Sequence, residues 1–114
     1  MSETIFSKII NKEIPSDILY EDNQCIAVKD INPQAPFHAL VIPKTYIKNI
    51  DLMQKEDVPL MGHLLHVCKK VAREAGLSKN GYRVAINNGP NGGQSVDHLH
   101  FHILGGRQMK WPPG

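Results

Sequence analysis

The sequence has no run of about 18 apolar residues, the length a membrane-crossing helix needs. Its start, Met1-Ser2-Glu3-Thr4, lacks the basic stretch followed by an apolar one that marks a secretory leader. Both absences lead to the expectation of a soluble, cytoplasmic protein. Cysteine is scarce. Cys25 and Cys68 lie far apart in segments that read as strand and helix, so two free buried thiols in a reducing compartment are expected rather than a disulfide. An excess of one charge is also missing. Thirteen Lys and Arg stand against eleven Asp and Glu. No basic run makes a nucleic-acid stripe, and Lys69-Lys70 is an ordinary helix-surface pair. Repeats, linkers and low-complexity tracts are absent as well. At 114 residues the chain is expected to form a single domain, 1–114, with residues 105–114 as a tail.

The elements follow from apolar spacing. Ile5, Phe6, Ile9 and Ile10 have helical spacing, which predicts a short amphipathic helix ending before Pro15. Ile18-Leu19-Tyr20 and Cys25-Ile26-Ala27-Val28 flank Glu21 to Gln24 and read as a hairpin. A loop pinned by Pro33 and Pro36 leads to a third strand, His38 to Ile42, stopped by Pro43. From Asp57 to Ala75 the pattern is one long helix, with Asp57 as its cap, Pro59 in the first turn and Gly76 as its stop. Its apolar face is wide enough to cover a sheet and also to meet a second subunit. Tyr82 to Ile86 is a fourth strand. The sum is an α+β fold: a five-stranded antiparallel sheet with one long and one short helix.

The fifth strand carries the chemistry. In His98-Leu99-His100-Phe101-His102-Ile103-Leu104, three imidazoles alternate with apolar residues. A strand places them on one face about 6.6 Å apart and sends Leu99, Phe101 and Ile103 into a core. Before it runs Asn87 to Ser95, rich in glycine and amide side chains, a loop able to offer N–H groups to an anion. Three same-face imidazoles bury too many polar atoms to serve packing alone. Beside an anion cradle they suggest phosphate chemistry. His63 and His66, on the long helix, read instead as surface or satisfied core positions. Asp97 directly precedes the row; on a strand its side chain points away from His98, though it stands close enough for a carboxylate to raise neighbouring imidazole pKa values.

The segment His98 to Leu104 has the His-φ-His-φ-His-φ-φ pattern of the histidine triad, or HIT, family of nucleotide hydrolases and transferases. The chain resembles that family over nearly its whole length. Thr4 to Ile10, Asp30 to His38 and Gly92 to Ser95 fall where the family has nucleotide-contacting segments. The tail from Leu104 through Trp111-Pro112-Pro113-Gly114 is similar to the nucleoside phosphoramidase branch. The resemblance implies a homodimer with a continuous ten-stranded sheet. It also implies hydrolysis of purine nucleoside 5′-phosphoramidates, such as adenosine 5′-monophosphoramidate, to the 5′-monophosphate and an amine through a nucleotidyl-histidine.

By the same resemblance His100 is the nucleophile, flanked by His98 and His102, with His38 facing the site from another strand. Neutral imidazole suits the attack, because its ordinary pKa near 6.5 leaves much of it unprotonated at neutral pH. The residues do not say which group protonates the leaving amine. Asn87, Gly93 and Ser95, with His100 and His102, are implied to bind phosphate, and Asp30 the ribose hydroxyls. Phe6, Ile9, Val28 and Ile31 are implied to form the purine slot, which would accept AMP or GMP derivatives alike. Trp111 is implied to reach the partner subunit's site on the amine side, since a large ring in an unstructured tail needs something to dock on.

Two other readings compete. One is a nucleotide-binding regulatory or scaffold module with vestigial hydrolysis. The other is a histidine-ligated metal site, but neighbours about 6.6 Å apart on a strand converge poorly on one ion. Some family members hold a structural zinc with two cysteines in the first segment and a histidine after the third strand. Thr4, Ser7 and Tyr46 stand at those positions here. No metal, cofactor, nucleic-acid or membrane partner is therefore expected.

Overall fold

A capping box starts the first element. Thr4 Oγ1 accepts from the Ser7 N–H at 3.2 Å while the Thr4 N–H donates to Ser7 Oγ at 2.8 Å. These bonds satisfy the amides of Thr4 and Ser7 at the start of α1, Ile5–Ile10, whose i, i+3 pair Phe6 and Ile9 is buried. The computed structural model describes residues 3–114, so residues 1 and 2 of the expected domain lie outside the described residues.

The hairpin forms as expected from β1, Ile18–Glu21, and β2, Cys25–Lys29. Asp22 Oδ1 accepts from the N–H groups of Gln24 and Cys25 and closes the turn. β3 is Phe37–Pro43, β4 is Tyr82–Ile86 and β5 is Phe101–Gly105. They make one five-stranded antiparallel sheet in the order β1-β2-β3-β5-β4. The long helix α2 is Val58–Glu74. It stops at Gly76, whose φ of 79° suits a residue without Cβ, and the Leu77 N–H returns to the Ala72 carbonyl.

Alternation divides the sheet into two faces. Cys25, Ala27, Ala39, Val41, Leu99, Phe101 and Ile103 pack with Leu64, Val67, Cys68, Val71 and Ala72 of α2. Ile26, Val28, Leu40 and Ile42 pack on the other face with Phe6 and Ile9 of α1. Because α1 has only six residues, it covers part of that second face and leaves room beside it. Both cysteines are free and buried, as expected. Among the described residues, no helix is long and apolar enough to cross a membrane.

Two local expectations are corrected. Asp57 makes no side-chain bond to the amides of α2; its carboxylate accepts from the Gln54 N–H at 2.8 Å and closes the preceding 3₁₀ turn instead. The fifth strand begins at Phe101, not His98. The next ladder partner on β3 would involve Pro43, which has no N–H to offer. The Leu99 N–H donates to the Ile47 carbonyl at 2.7 Å, and the His98 N–H to the Val96 carbonyl at 2.8 Å. Leu99, Phe101 and Ile103 still enter the α2 core, so the two-sided pattern survives the loss of ladder pairing.

Candidate active site

Four histidines gather on the α1 face. His98 and His100 come from the segment before β5, His102 from β5 and His38 from β3; His38, His98 and His100 are buried. The His100 and His102 ring centroids are 4.9 Å apart, closer than the expected spacing, because the rings tilt toward each other and the segment before Phe101 leaves strand pairing. Phe6 stands edge-on to His100 with centroids 4.8 Å apart. Tyr46 is edge-on to His98 at 5.3 Å.

The hydrogen bonds fix where each imidazole holds its proton. His98 Nε2 lies 3.0 Å from the Pro43 carbonyl, which only accepts, so His98 carries its hydrogen there. His98 Nδ1 then faces Thr4 Oγ1 at 3.4 Å as an acceptor. His100 Nδ1 donates to the His98 carbonyl at 2.7 Å, which leaves His100 Nε2 with a free lone pair. His38 Nδ1 accepts from the Gln34 N–H at 3.0 Å, so His38 carries hydrogen on Nε2. That hydrogen meets His102 Nδ1 at 2.9 Å, with Asp30 Oδ2 3.4 Å from the same nitrogen. His102 in turn keeps its own proton on Nε2.

Burial keeps the group neutral. It pushes the pKa values of His38, His98 and His100 below the usual imidazole range, in spite of the nearby Asp30 charge at His38 and His100. His102 is pushed down to about 4, first by burial and then by its imidazole neighbours. Asp97 does not raise these values. It is exposed, and its main-chain carbonyl accepts from the Tyr46 hydroxyl.

His100 and His102 open onto a cavity of about 250 Å³ between α1 and the sheet. Phe6, Ile9, Val28, Asp30, Ile31, Ser95, His100 and His102 all line it. Ile31 is 90% exposed on one lip. The structure therefore brings together most of the residues singled out in the sequence. Asn87 and Trp111 line a different cavity beside β4. Gly93, at φ 79°, connects the two regions through its carbonyl, which Asn87 Nδ2 approaches at 3.5 Å.

Leu40 and Val96 also line the first cavity and were missed in the sequence. Leu40 was discoverable, since it lies two residues from His38 on the same strand face. Asp30, His38 and His102 each present a donor atom within 4.8 Å of the others, a grouping capable of holding a cation. The metal reading considered from sequence would have used the triad itself. Thr4 and Ser7 are occupied in the capping box.

Comparison with known proteins agrees with this geometry. The family model described as the HIT domain matches residues 11–109. An uncharacterized HIT-like protein of Synechococcus elongatus is 56% identical, with each chain covered in full. A protein of Zea mays described as a 14 kDa zinc-binding protein is also 56% identical, over 99% of this chain and 89% of its own. The crystal structure of a HIT family hydrolase from Legionella pneumophila superposes with a TM-score of 0.96 at 46% identity, covering 98% of this chain and 100% of that one. A family match across most of the chain, full-length relatives and an all but superposable fold place this chain in the HIT-domain family.

Proposed function

We propose that the protein hydrolyses purine nucleoside 5′-phosphoramidates, releasing the nucleoside 5′-monophosphate and an amine. The observation that carries the reading is the free lone pair of His100 Nε2, held by a main-chain carbonyl at the wall of the cavity. His100 Nε2 attacks the α-phosphorus. A P–N bond to the imidazole forms as the P–N bond to the amine breaks, and the amine takes up a proton as it leaves. Water then attacks the phosphorus, releases the monophosphate and restores His100. His102 Nε2–H and the Ser95 hydroxyl are the donors for the phosphoryl oxygens. His98 orients the nucleophile through its carbonyl, and His38 holds the His102 tautomer.

Phe6, Ile9, Val28 and Ile31 suit an apolar purine, and Asp30 at the rim suits the ribose hydroxyls. The Gly93 N–H donates to the Pro90 carbonyl at 3.1 Å, so Gly93 serves phosphate by keeping the approach free of a Cβ, with Asn87 beside it. The same reading includes a homodimer. Its support is β4, an edge strand half-buried along its length, and Trp111, 82% exposed in the single chain beside the β4 cavity. Joining β4 to its copy would give a ten-stranded sheet and bring each Trp111 toward the partner's amine side.

Incubation with adenosine 5′-phosphoramidates, following amine release and intact mass after a rapid quench, tests the function. Amine release with a nucleotidyl adduct on His100 is expected. Nucleotide binding without adduct or turnover would overturn it in favour of a binding module.

A further inference from the structure

A second group of reactive side chains lies on the α2 face of the sheet, where the proposed reaction uses none of them. Asp22 closes the β1–β2 turn, Cys25 begins β2 and His63 projects from the second turn of α2. Each presents one donor atom, and the three lie within 4.8 Å of one another. His63 Nε2 is 2.7 Å from Asp22 Oδ2. The Asp22 carboxylate is held in place by the amides of Gln24 and Cys25 and by the Tyr20 hydroxyl. The cluster has a closed side and an open one. Cys25 is fully buried, whereas the His63 and Asp22 side chains are 27% and 23% exposed.

From this juxtaposition we propose that Asp22, Cys25 and His63 form a binding site for a divalent cation of the zinc class, completed by water on the open side. Sulfur, imidazole nitrogen and carboxylate oxygen together form a donor set suited to zinc, and sulfur selects against magnesium and calcium. Three protein ligands with an accessible fourth position give the usual four-coordinate arrangement. Charge balances as well, since a thiolate and a carboxylate neutralise an ion of charge +2.

Binding replaces the hydrogen between His63 and Asp22 by the ion. His63 binds through Nε2 with its ring hydrogen on Nδ1, the Cys25 thiol releases one proton to water, and metal–nitrogen, metal–oxygen and metal–sulfur bonds replace bonds to water. Ligand atoms around zinc stand roughly 3–4 Å apart, so His63 and Asp22 must separate slightly. Without a cation, burial pushes the Cys25 thiol up to about 12, and it remains protonated. Cys25 pairs with Pro43, whose carbonyl receives the His98 imidazole, but the Cys25 side chain faces α2 and the histidines face α1. The two sites share no side chain.

The test uses the full chain, reduced and stripped with a chelator, then loaded with zinc alone, desalted and assayed by elemental analysis. Wild type and His102→Gln should each retain about one zinc per chain. Cys25→Ser and His63→Gln should lose at least about nine-tenths of it. Cobalt in place of zinc should give a thiolate-to-cobalt charge-transfer band in wild type and none in Cys25→Ser. His63→Gln, at a partly exposed position, keeps the test valid if the Cys25 variant unfolds; thermal unfolding in chelator checks both folds. Only trace zinc on wild type overturns the proposal. So does undiminished zinc on folded His63→Gln, or zinc lost in His102→Gln alone, which would move the ion to Asp30, His38 and His102.

Discussion

The two faces of the sheet are cut from alternate residues of the same strands, yet they differ as a dry solid differs from a wet socket. Toward α2, Ala39, Val41, Phe101 and Ile103 are buried against Leu64 and Val67. Toward α1, Leu40, His100 and His102 border an open cavity, and every buried side-chain nitrogen or oxygen among the described residues has a hydrogen-bond partner. The comparison teaches how polar groups can be buried without loosening the fold. The apolar face supplies rigidity, and the imidazoles use it as a platform whose positions repeat every two residues.

If that division of labour holds, the largest effect comes from His100→Ala. It should lower kcat/KM by at least about a thousandfold, because the nucleophile is removed rather than repositioned. Thermal unfolding should move only slightly, and quenched samples should show no adduct. A retained wild-type kcat would break the comparison on its wet side. Leu64→Ala tests the dry side. It should cost about 2–5 kcal/mol of stability by denaturant titration while leaving kcat of the folded fraction unchanged. A fall in kcat without loss of stability would show that the faces are not separable.

Acid sharpens the contrast next. The four site histidines have folded pKa values below their ordinary value near 6.5, and that of His102 is about 4. Between these limits the unfolded chain binds more protons than the folded one, so stability falls as pH falls from about 6.5 toward 4. His102→Gln should flatten this slope by an amount on the order of 1–3 kcal/mol, read from thermal or denaturant unfolding at several pH values. An unchanged slope would show that His102 does not enter the protein neutral.

Asp30→Ala should narrow the preference for ribo- over 2′-deoxy-phosphoramidates by about 1–3 kcal/mol in kcat/KM ratios. Equal ratios in wild type and variant would leave Asp30 its own turn, where Oδ1 accepts from the Asn32 N–H, and its contact with His38. The smallest change is expected from deleting residues 110–114. Relative kcat/KM among substrates that differ only in the amine should shift by a few-fold, about 1 kcal/mol, with purine monophosphate binding preserved. Identical ratios across small, bulky and aromatic amines would exclude the tail from substrate choice.

Much of this was legible in the sequence because strand alternation is a strict code. Leu99, Phe101 and Ile103 could only face away from His98, His100 and His102, and the structure keeps that division even where β5 loses its pairing. Gly76 marked the end of α2 by a conformational preference that is local. What was not legible runs through the main chain. The partners of His98, His100 and His38 are the Pro43 and His98 carbonyls and the Gln34 N–H, which any residue type could supply. The separation of Asn87 from Ser95 depends on loop backbone angles, such as that at Gly93, which no periodicity reports.

The grip on His100 has a consequence for how such a site can change. A side-chain carboxylate that orients an imidazole can be lost in one substitution, and a scan of variants would reveal it. The carbonyl of His98 survives every replacement of its own side chain. Control of the nucleophile's tautomer is thus inherited with the path of the chain, invisible to alanine scanning. Replacing the His98–Leu99 amide by an ester, which weakens that carbonyl as an acceptor, would reach it without touching any side chain.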